Sequence, residues 1–210
     1  IKIGVGIHDS SAALLPYVRS LKNQFILIST GTWSIALNPF VERTLSKKDV
    51  ADDCINYMRI NGKPVKSARL FLGNEYSIQV KKLTEYYQVD KDYHKTVKFD
   101  PEIHYEIVKE FEKIFKWESI EDPEMPEETH LRYTSFDHAY HHLMMELVLL
   151  QVESIKSAKG NMTIEKLFVD GGFSDNDIYI HLLSHHFRTM ELRTTDSSLG
   201  SALGAAICIS

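Results

Sequence analysis

Over the first seven residues, apolar and non-apolar positions alternate: Ile3, Val5 and Ile7 share one face, and Lys2, Gly4 and Gly6 the other. That period of two predicts a strand with one bare face. The following Ala12 to Leu15 run predicts a helix capped by Ser10 or Ser11 and kept short or kinked by Pro16. Phe25 to Ser29 is a compact apolar strand, and beyond TGTW the alternation of Ile35 and Leu37 in SIALNPF predicts its hairpin partner.

From Val41 to about Arg132 the pattern is less regular and more charged. RLFLGNEYSIQVKKLTEYY reads as a loop followed by an amphipathic helix. PEIHYEIVKEFEKIFKW places Ile103, Ile107, Phe111, Ile114 and Phe115 at helical spacing. ESIEDPEMPEETH, with its two prolines and acidic residues, reads as a solvated loop. Ser135 to Lys159 lacks proline and glycine and is apolar around most of its circumference near Leu143 to Leu150, which predicts one long buried helix ending at Gly160. IEKLFVDGG then predicts a strand, SDNDIYIHLLSHHF a helix, TMELRT a short strand, and SSLGSALGAAICIS a small-residue helix that packs closely. Hairpin first, then alternating helices and strands: the order predicts an α/β chain with a mixed sheet.

At 210 residues, 43% hydrophobic and 25% charged, the chain can bury a sizeable core as one large domain or two small ones. Its net charge of -5 and lack of a basic block argue against a nucleic-acid partner. No apolar run approaches the roughly 18 residues of a membrane span, and the first residues lack the charged region and cleavage site of a secretory signal. Cys54 and Cys208 have no metal-ligand spacing and form no disulfide framework, so a reducing cytoplasm is the expected location. The chain starts inside a strand pattern without an initiator methionine, which leads us to expect a piece of something longer.

Three strand ends carry residues capable of chemistry: Asp9, the Gly31-Thr32 turn, and the Gly171-Gly172 turn followed by Asn176. In open α/β sheets ligands collect where strands end, so three such turns predict one shared site. On its own, Asp9 reads as a helix cap before it reads as a catalytic group. Gly31 and Thr32 suit an ordinary hairpin turn, Trp33 suits a core, and Ser174 suits a cap for the helix after it.

Taken in order, GIHDSSAA, STGTWSIAL, FVDGGFSDNDIYIHLLSHHF and SALGAA resemble the successive motifs of the C-terminal domain of FGGY-type carbohydrate kinases, in the branch near rhamnulokinase and fuculokinase. The resemblance spans nearly the whole chain and is weakest from Val41 to Arg132. It implies an actin-like, ribonuclease-H-like ATPase domain, residues 1–210 being the ATP-side half of a two-domain enzyme that phosphorylates a sugar hydroxyl. By the same resemblance Asp9 is the carboxylate that takes the proton of the sugar hydroxyl. Gly31 and Thr32, helped by Ser29 and Thr30, meet the ATP phosphates, while Gly171, Gly172 and Asn176 meet the adenosine. Gly73 and Asn74 are a further nucleotide contact. Mg²⁺ is expected to travel with ATP, because the chain has no clustered carboxylates for a dedicated metal site. The implied partners are a ketose or deoxy-sugar and the family's N-terminal domain, without which this chain is not expected to turn over; a homodimer is left open. Two rival classes stay in view: a non-catalytic nucleotide-binding or interaction module of the same fold, and an acyl-phosphate kinase.

His138, His141 and His142 share a helix, and His138 and His142 have the i, i+4 spacing of a metal pair. Without the glutamate of a zinc helix they read as satisfied or exposed histidines. His185 and His186 are adjacent and point apart. His8 beside Asp9 reads as a local structural residue.

Overall fold

A computed structural model describes residues 8–59, 61–195, 204, 206 and 207. The expected strand over residues 2–7, most of the closing helix and Cys208 lie outside them. The predicted hairpin forms: β1 (Phe25–Thr30) runs antiparallel to β2 (Ser34–Asn38), with Leu27 opposite Leu37 and Thr30 opposite Ser34. A second hairpin, β3 (Cys54–Met58) and β4 (Pro64–Leu70), joins through β4 to β2. On the other side β5 (Lys166–Gly171) lies parallel to β1, and β6 (Glu191–Thr194) parallel to β5. The result is a six-stranded mixed sheet in the order β3-β4-β2-β1-β5-β6.

β1 reads as an unbroken apolar run because both of its faces are covered. Ile26 and Ile28 face the main core with Ala36, Ala68, Leu167 and Val169, against a long helix α5 (Phe136–Lys159). Phe25 and Leu27 face the opposite way with Leu37, Val65 and Phe168, under Ala13 and Leu14 of helix α1 (Asp9–Ser20). α5 has the predicted bounds: the Ser135 side chain accepts the N–H of His138, and Gly160 ends the helix at φ 55°.

Other elements differ from expectation. α1 is capped by His8 rather than by a serine and continues through Pro16 for twelve residues. The proline has no N–H for the Ala12 carbonyl, and that carbonyl instead faces Gly204, where a Cβ would sit 1.7 Å from it. Helix α2 (Lys47–Ala51) is too short for periodicity to reveal. It is fixed by a capping box between Ser46 and Asp49 and by the pair of Asp49 with buried Lys66 of β4, 2.5 Å apart. Arg69 and Leu70 belong to β4, so helix α3 (Leu72–Tyr87) follows a strand and not a loop.

The helix expected across residues 101–117 stops early. α4 covers Pro101–Lys109, and the chain then runs irregularly although Ile114, Phe115 and Trp117 are buried. Backbone donors in that stretch bond to carboxylates. Glu146 of α5 accepts the N–H groups of Ile114 (2.7 Å) and Phe115 (3.4 Å). Glu75 of α3 accepts those of Glu118 (3.0 Å) and Ser119 (2.7 Å). Bonds to buried charge can replace a helical ladder locally. The acidic stretch beyond stays free of helix and strand, as expected.

The three α5 histidines are satisfied by the protein. His138 lies 2.8 Å from Ser135 Oγ, His141 Nε2 accepts the N–H of Asp100, and His142 lies between the Tyr133 hydroxyl and the Glu112 carbonyl. No helix among the described residues is long and apolar enough to cross a membrane.

Candidate functional site

Residues Gly31, Thr32 and Trp33 form the β1–β2 turn, closed by the Gly31 N–H on the Trp33 carbonyl (2.8 Å). The first turn of α3 is pressed against it. A Cβ on Gly73 would lie 1.8 Å from the Gly31 carbonyl oxygen, and the Asn74 N–H bonds the Thr32 carbonyl at 3.0 Å. On the other side, Gly171 at φ 92° packs so that a Cβ would lie 1.9 Å from the Thr30 carbonyl oxygen. Thr30 then latches the two turns together: its carbonyl accepts the Gly172 N–H (3.0 Å), its Oγ1 accepts the Phe173 N–H (3.0 Å), and its hydroxyl donates to the Asp170 carbonyl (2.6 Å).

Two cavities open around this junction. A larger one of 570 Å³ brings Asp9 together with Ser29, Thr30, Gly31, Thr32 and Gly171. A smaller one of 330 Å³ brings Gly31 and Thr32 together with Gly73, Asn74, Gly172 and Asn176. Every residue given a catalytic or nucleotide role from the sequence lines one of the two, and Gly31 and Thr32 line both.

The four marked glycines divide by cause. Gly73 and Gly171 are demanded by the fold, through backbone approach and, at Gly171, a left-handed φ as well. Among the described residues, a Cβ at Gly172 would meet nothing within 4 Å, and one at Gly31 would meet only the Trp33 carbonyl at 4.0 Å. Internal packing does not account for glycine at those two positions, both of which line a cavity.

Residues 22–106 match the carbohydrate kinase FGGY C-terminal domain. The matched span contains Gly31, Thr32, Gly73 and Asn74; Asp9 and the Gly171-Gly172 turn lie outside it. No curated protein matches the chain by sequence. Among solved structures, a carbohydrate kinase from Novosphingobium aromaticivorans superposes with a TM-score of 0.66 at 22% identity, over 97% of this chain and 44% of that one. A xylulose kinase from Bifidobacterium adolescentis gives 0.61 at 15% identity, over 96% and 39%. A Plasmodium falciparum glycerol kinase with ADP gives 0.59 at 17% identity, over 97% and 41%. The chain thus spans less than half the length of these kinases. It has the expected actin-like fold, a mixed sheet with flanking helices. The FGGY match covers residues 22–106, and none of these matches reaches the rhamnulokinase or fuculokinase branch.

Asp9 is the first residue of α1. Its Oδ1 accepts the Ser10 N–H (2.7 Å) and lies 2.9 Å from His8 Nδ1, and its side chain is 78% exposed. Bonding to the helix start and lining the cavity are therefore compatible. His8 caps α1 and packs its ring 5.1 Å from that of Tyr57.

At the start of α6 (Asp177–His186), Asn176 is the cap. Its Oδ1 accepts the Tyr179 N–H (3.0 Å) and its Nδ2 donates to the Tyr140 hydroxyl (2.8 Å), which also meets the Tyr76 hydroxyl (2.9 Å). Burial pushes the Tyr76 and Tyr140 hydroxyls above their ordinary range. Ser174 is not the cap; its hydroxyl bonds the Gly171 carbonyl at 2.7 Å.

Among the lining residues not singled out from the sequence as functional are Asp170, Trp33 and Arg69. Asp170, next to last in β5, is 6% exposed, and burial raises its carboxyl above the ordinary value. Thr195 donates to it (3.2 Å) while accepting from the Tyr17 hydroxyl (3.1 Å). A lone charge at the end of an apolar strand, LFVD, was the available signal. Trp33, a core residue by sequence, is 41% exposed. Arg69 on β4 gave no signal, because the sequence did not show that β4 neighbours β2. Among the described residues no three His, Cys, Asp or Glu side chains are grouped as a metal would need.

Proposed function

We propose that this chain is the nucleotide-side domain of a kinase that transfers the γ-phosphoryl group of ATP to a sugar hydroxyl, with Asp9 as the base. The observation that carries the reading is the shared Gly31-Thr32 turn, with a carboxylate in the cavity on one side of it and the open backbone of Gly172 in the cavity on the other.

The residues fit a nucleotide. The backbone at Gly31 offers a close approach to phosphate oxygens and the Thr32 side chain offers a hydroxyl without added charge. Gly73, Asn74, Gly172 and Asn176 line a cavity of neutral groups suited to a base and ribose. Asn176 uses its carbonyl oxygen and one N–H within the protein, so its part is to hold the rim of that cavity with at most one donor left for a ligand. Bound ATP would supply the phosphoryl group and bring Mg²⁺ to neutralise its charge. Asp9 accepts the proton of the acceptor hydroxyl and orients that oxygen, the task that phosphoryl transfer leaves to one carboxylate. The facing wall and further sugar contacts belong to a second domain of the whole protein, in keeping with the greater length of the similar kinases. The expected reducing location is part of the same proposal, with Cys54 as a buried free thiol.

The test is ATP consumption by the complete gene product against a panel of rhamnulose, fuculose, xylulose and glycerol, with acetate as the acyl-phosphate control. Sugar-dependent consumption that Asp9→Asn abolishes is the expected result. Acetate-dependent consumption, or turnover unchanged by Asp9→Asn, refutes it.

A further inference from the structure

Four strands contribute one row of side chains to the floor of the larger cavity. Arg69 pairs with Ile35, Ile35 with Ser29, and Ser29 with Asp170, so all four point to the face covered by α1. All four line the cavity. With strands about 4.8 Å apart, the row spans about 14 Å, with Arg69 at one end and Asp170 at the other. Arg69 is absent from the lining of the cavity of Gly73, Gly172 and Asn176.

Arg69 is held in place from two directions. Its backbone N–H bonds the Asp53 carbonyl (3.3 Å) and its Nη2 bonds the Asp53 carboxylate (2.6 Å). Asp53 itself sits at φ 52°, a left-handed position that few residues other than glycine adopt. The guanidinium lies 5.6 Å from the ring centre of Trp33, within cation–π range. Trp33 is braced in turn by Phe71, ring centres 4.4 Å apart. Yet Arg69 makes one side-chain hydrogen bond among the described residues, and its buried Nε has no partner there. A guanidinium carries five donors in a fixed fork. A strained residue and an aromatic platform thus orient a fork that the fold leaves mostly unused, and strain of this kind points to function. The pair with Asp53 is itself half-exposed and contributes little to stability.

We propose that Arg69 is a specificity-determining residue for the acceptor: its unused donors take an oxygen of a small polyhydroxylated substrate other than the hydroxyl oxygen facing Asp9. This rests on the kinase reading above for the identity of the two cavities. Trp33 forms the adjoining wall, and the part of the sugar-induced tryptophan fluorescence change that Trp33→Phe removes reports on that wall.

The experiment uses the complete gene product with Arg69→Gln and Arg69→Lys, checked by thermal melting, and the same four sugars. For the acceptor with the highest turnover, Arg69→Gln should raise the KM on the order of tenfold or more, the scale of a lost charged hydrogen bond. The KM for ATP and the melting midpoint should stay as in the unmodified protein. Arg69→Lys should recover part of the loss, and the midpoint of the sugar-induced Trp33 fluorescence change should move with the KM. An unchanged acceptor KM and midpoint overturns the proposal, and so does an effect falling on the KM for ATP. If a sugar shifts the fluorescence but none supports ATP consumption, the kinase reading fails, and the midpoint in Arg69→Gln still decides the role of Arg69. If no sugar does either, both fail.

Discussion

The two cavities that meet at the Gly31-Thr32 turn are made of different chemical material. The larger includes side chains that can carry charge, Asp9, Asp170 and Arg69. The smaller is lined by backbone and neutral groups: Gly73, Gly172, Asn74, Ser77 and Phe173. A site that must move a proton and tell one acceptor from another needs side chains with distinct chemistry. One that holds a flat ligand mainly needs the backbone to stay out of its way. The glycines express the same contrast, since Gly73 and Gly171 shape the walls while Gly31 and Gly172 leave space.

The most severe break expected is Asp9→Asn in the complete gene product. Turnover should fall by about 10²–10⁴-fold, the worth of a positioned base, while ADP binding measured by calorimetry stays as it was. Loss of ADP affinity would mean that the two cavities do not divide the labour. Gly73→Ala acts from the other side. Its Cβ would collide with the Gly31 carbonyl, so denaturant titration should show a loss of about 1–3 kcal/mol, the usual scale of overpacking. ADP affinity should fall with it, because the shared turn has to move. Asn176→Ala removes the α6 cap and the bond to Tyr140. About 1 kcal/mol should go with the cap, which lowers the thermal midpoint by roughly 2–4 °C for a chain of this size.

The smallest effect concerns pH. Burial raises the Asp170 carboxyl above its ordinary 3.8. Its contribution to stability is therefore fully present below that value and is lost as pH rises through the higher folded value. Asp170→Asn removes this loss, so relative to the unmodified protein the variant should compare better at neutral pH than below pH 3.8 in paired denaturation curves. A stability difference independent of pH would show that the carboxyl is not shifted by its burial.

Elements with sustained periodicity or clear end signals were legible in the sequence. α5 has Ser135 and Gly160 at its ends and a long run between them, and β1 and β2 flank a glycine-bearing turn. The segment after α4 was not legible. Phe111, Ile114 and Phe115 keep a helical spacing, but the donors at 114 and 115 are taken by Glu146, some thirty residues along the chain. Periodicity reports which side chains are buried and says nothing about which acceptor a backbone group finds. α2 and the β3–β4 hairpin were missed because five-residue elements carry too few repeats. In the site, Asp9 and the glycine turns stood out as residues ill-suited to the apolar strands they end, whereas Arg69 did not, since charge on a strand is unremarkable until its neighbour is known.

The order of motifs, the composition and the glycine turns were enough to determine the class of fold and the turns that meet at the cavities, because turns and caps depend on residues close in sequence. Which glycines serve packing and which face open space, and which arginine shares a wall with Asp9, was decided by the tertiary structure alone. Those facts depend on the distance between atoms brought together from opposite ends of the chain, and that distance exists only once the sheet has assembled.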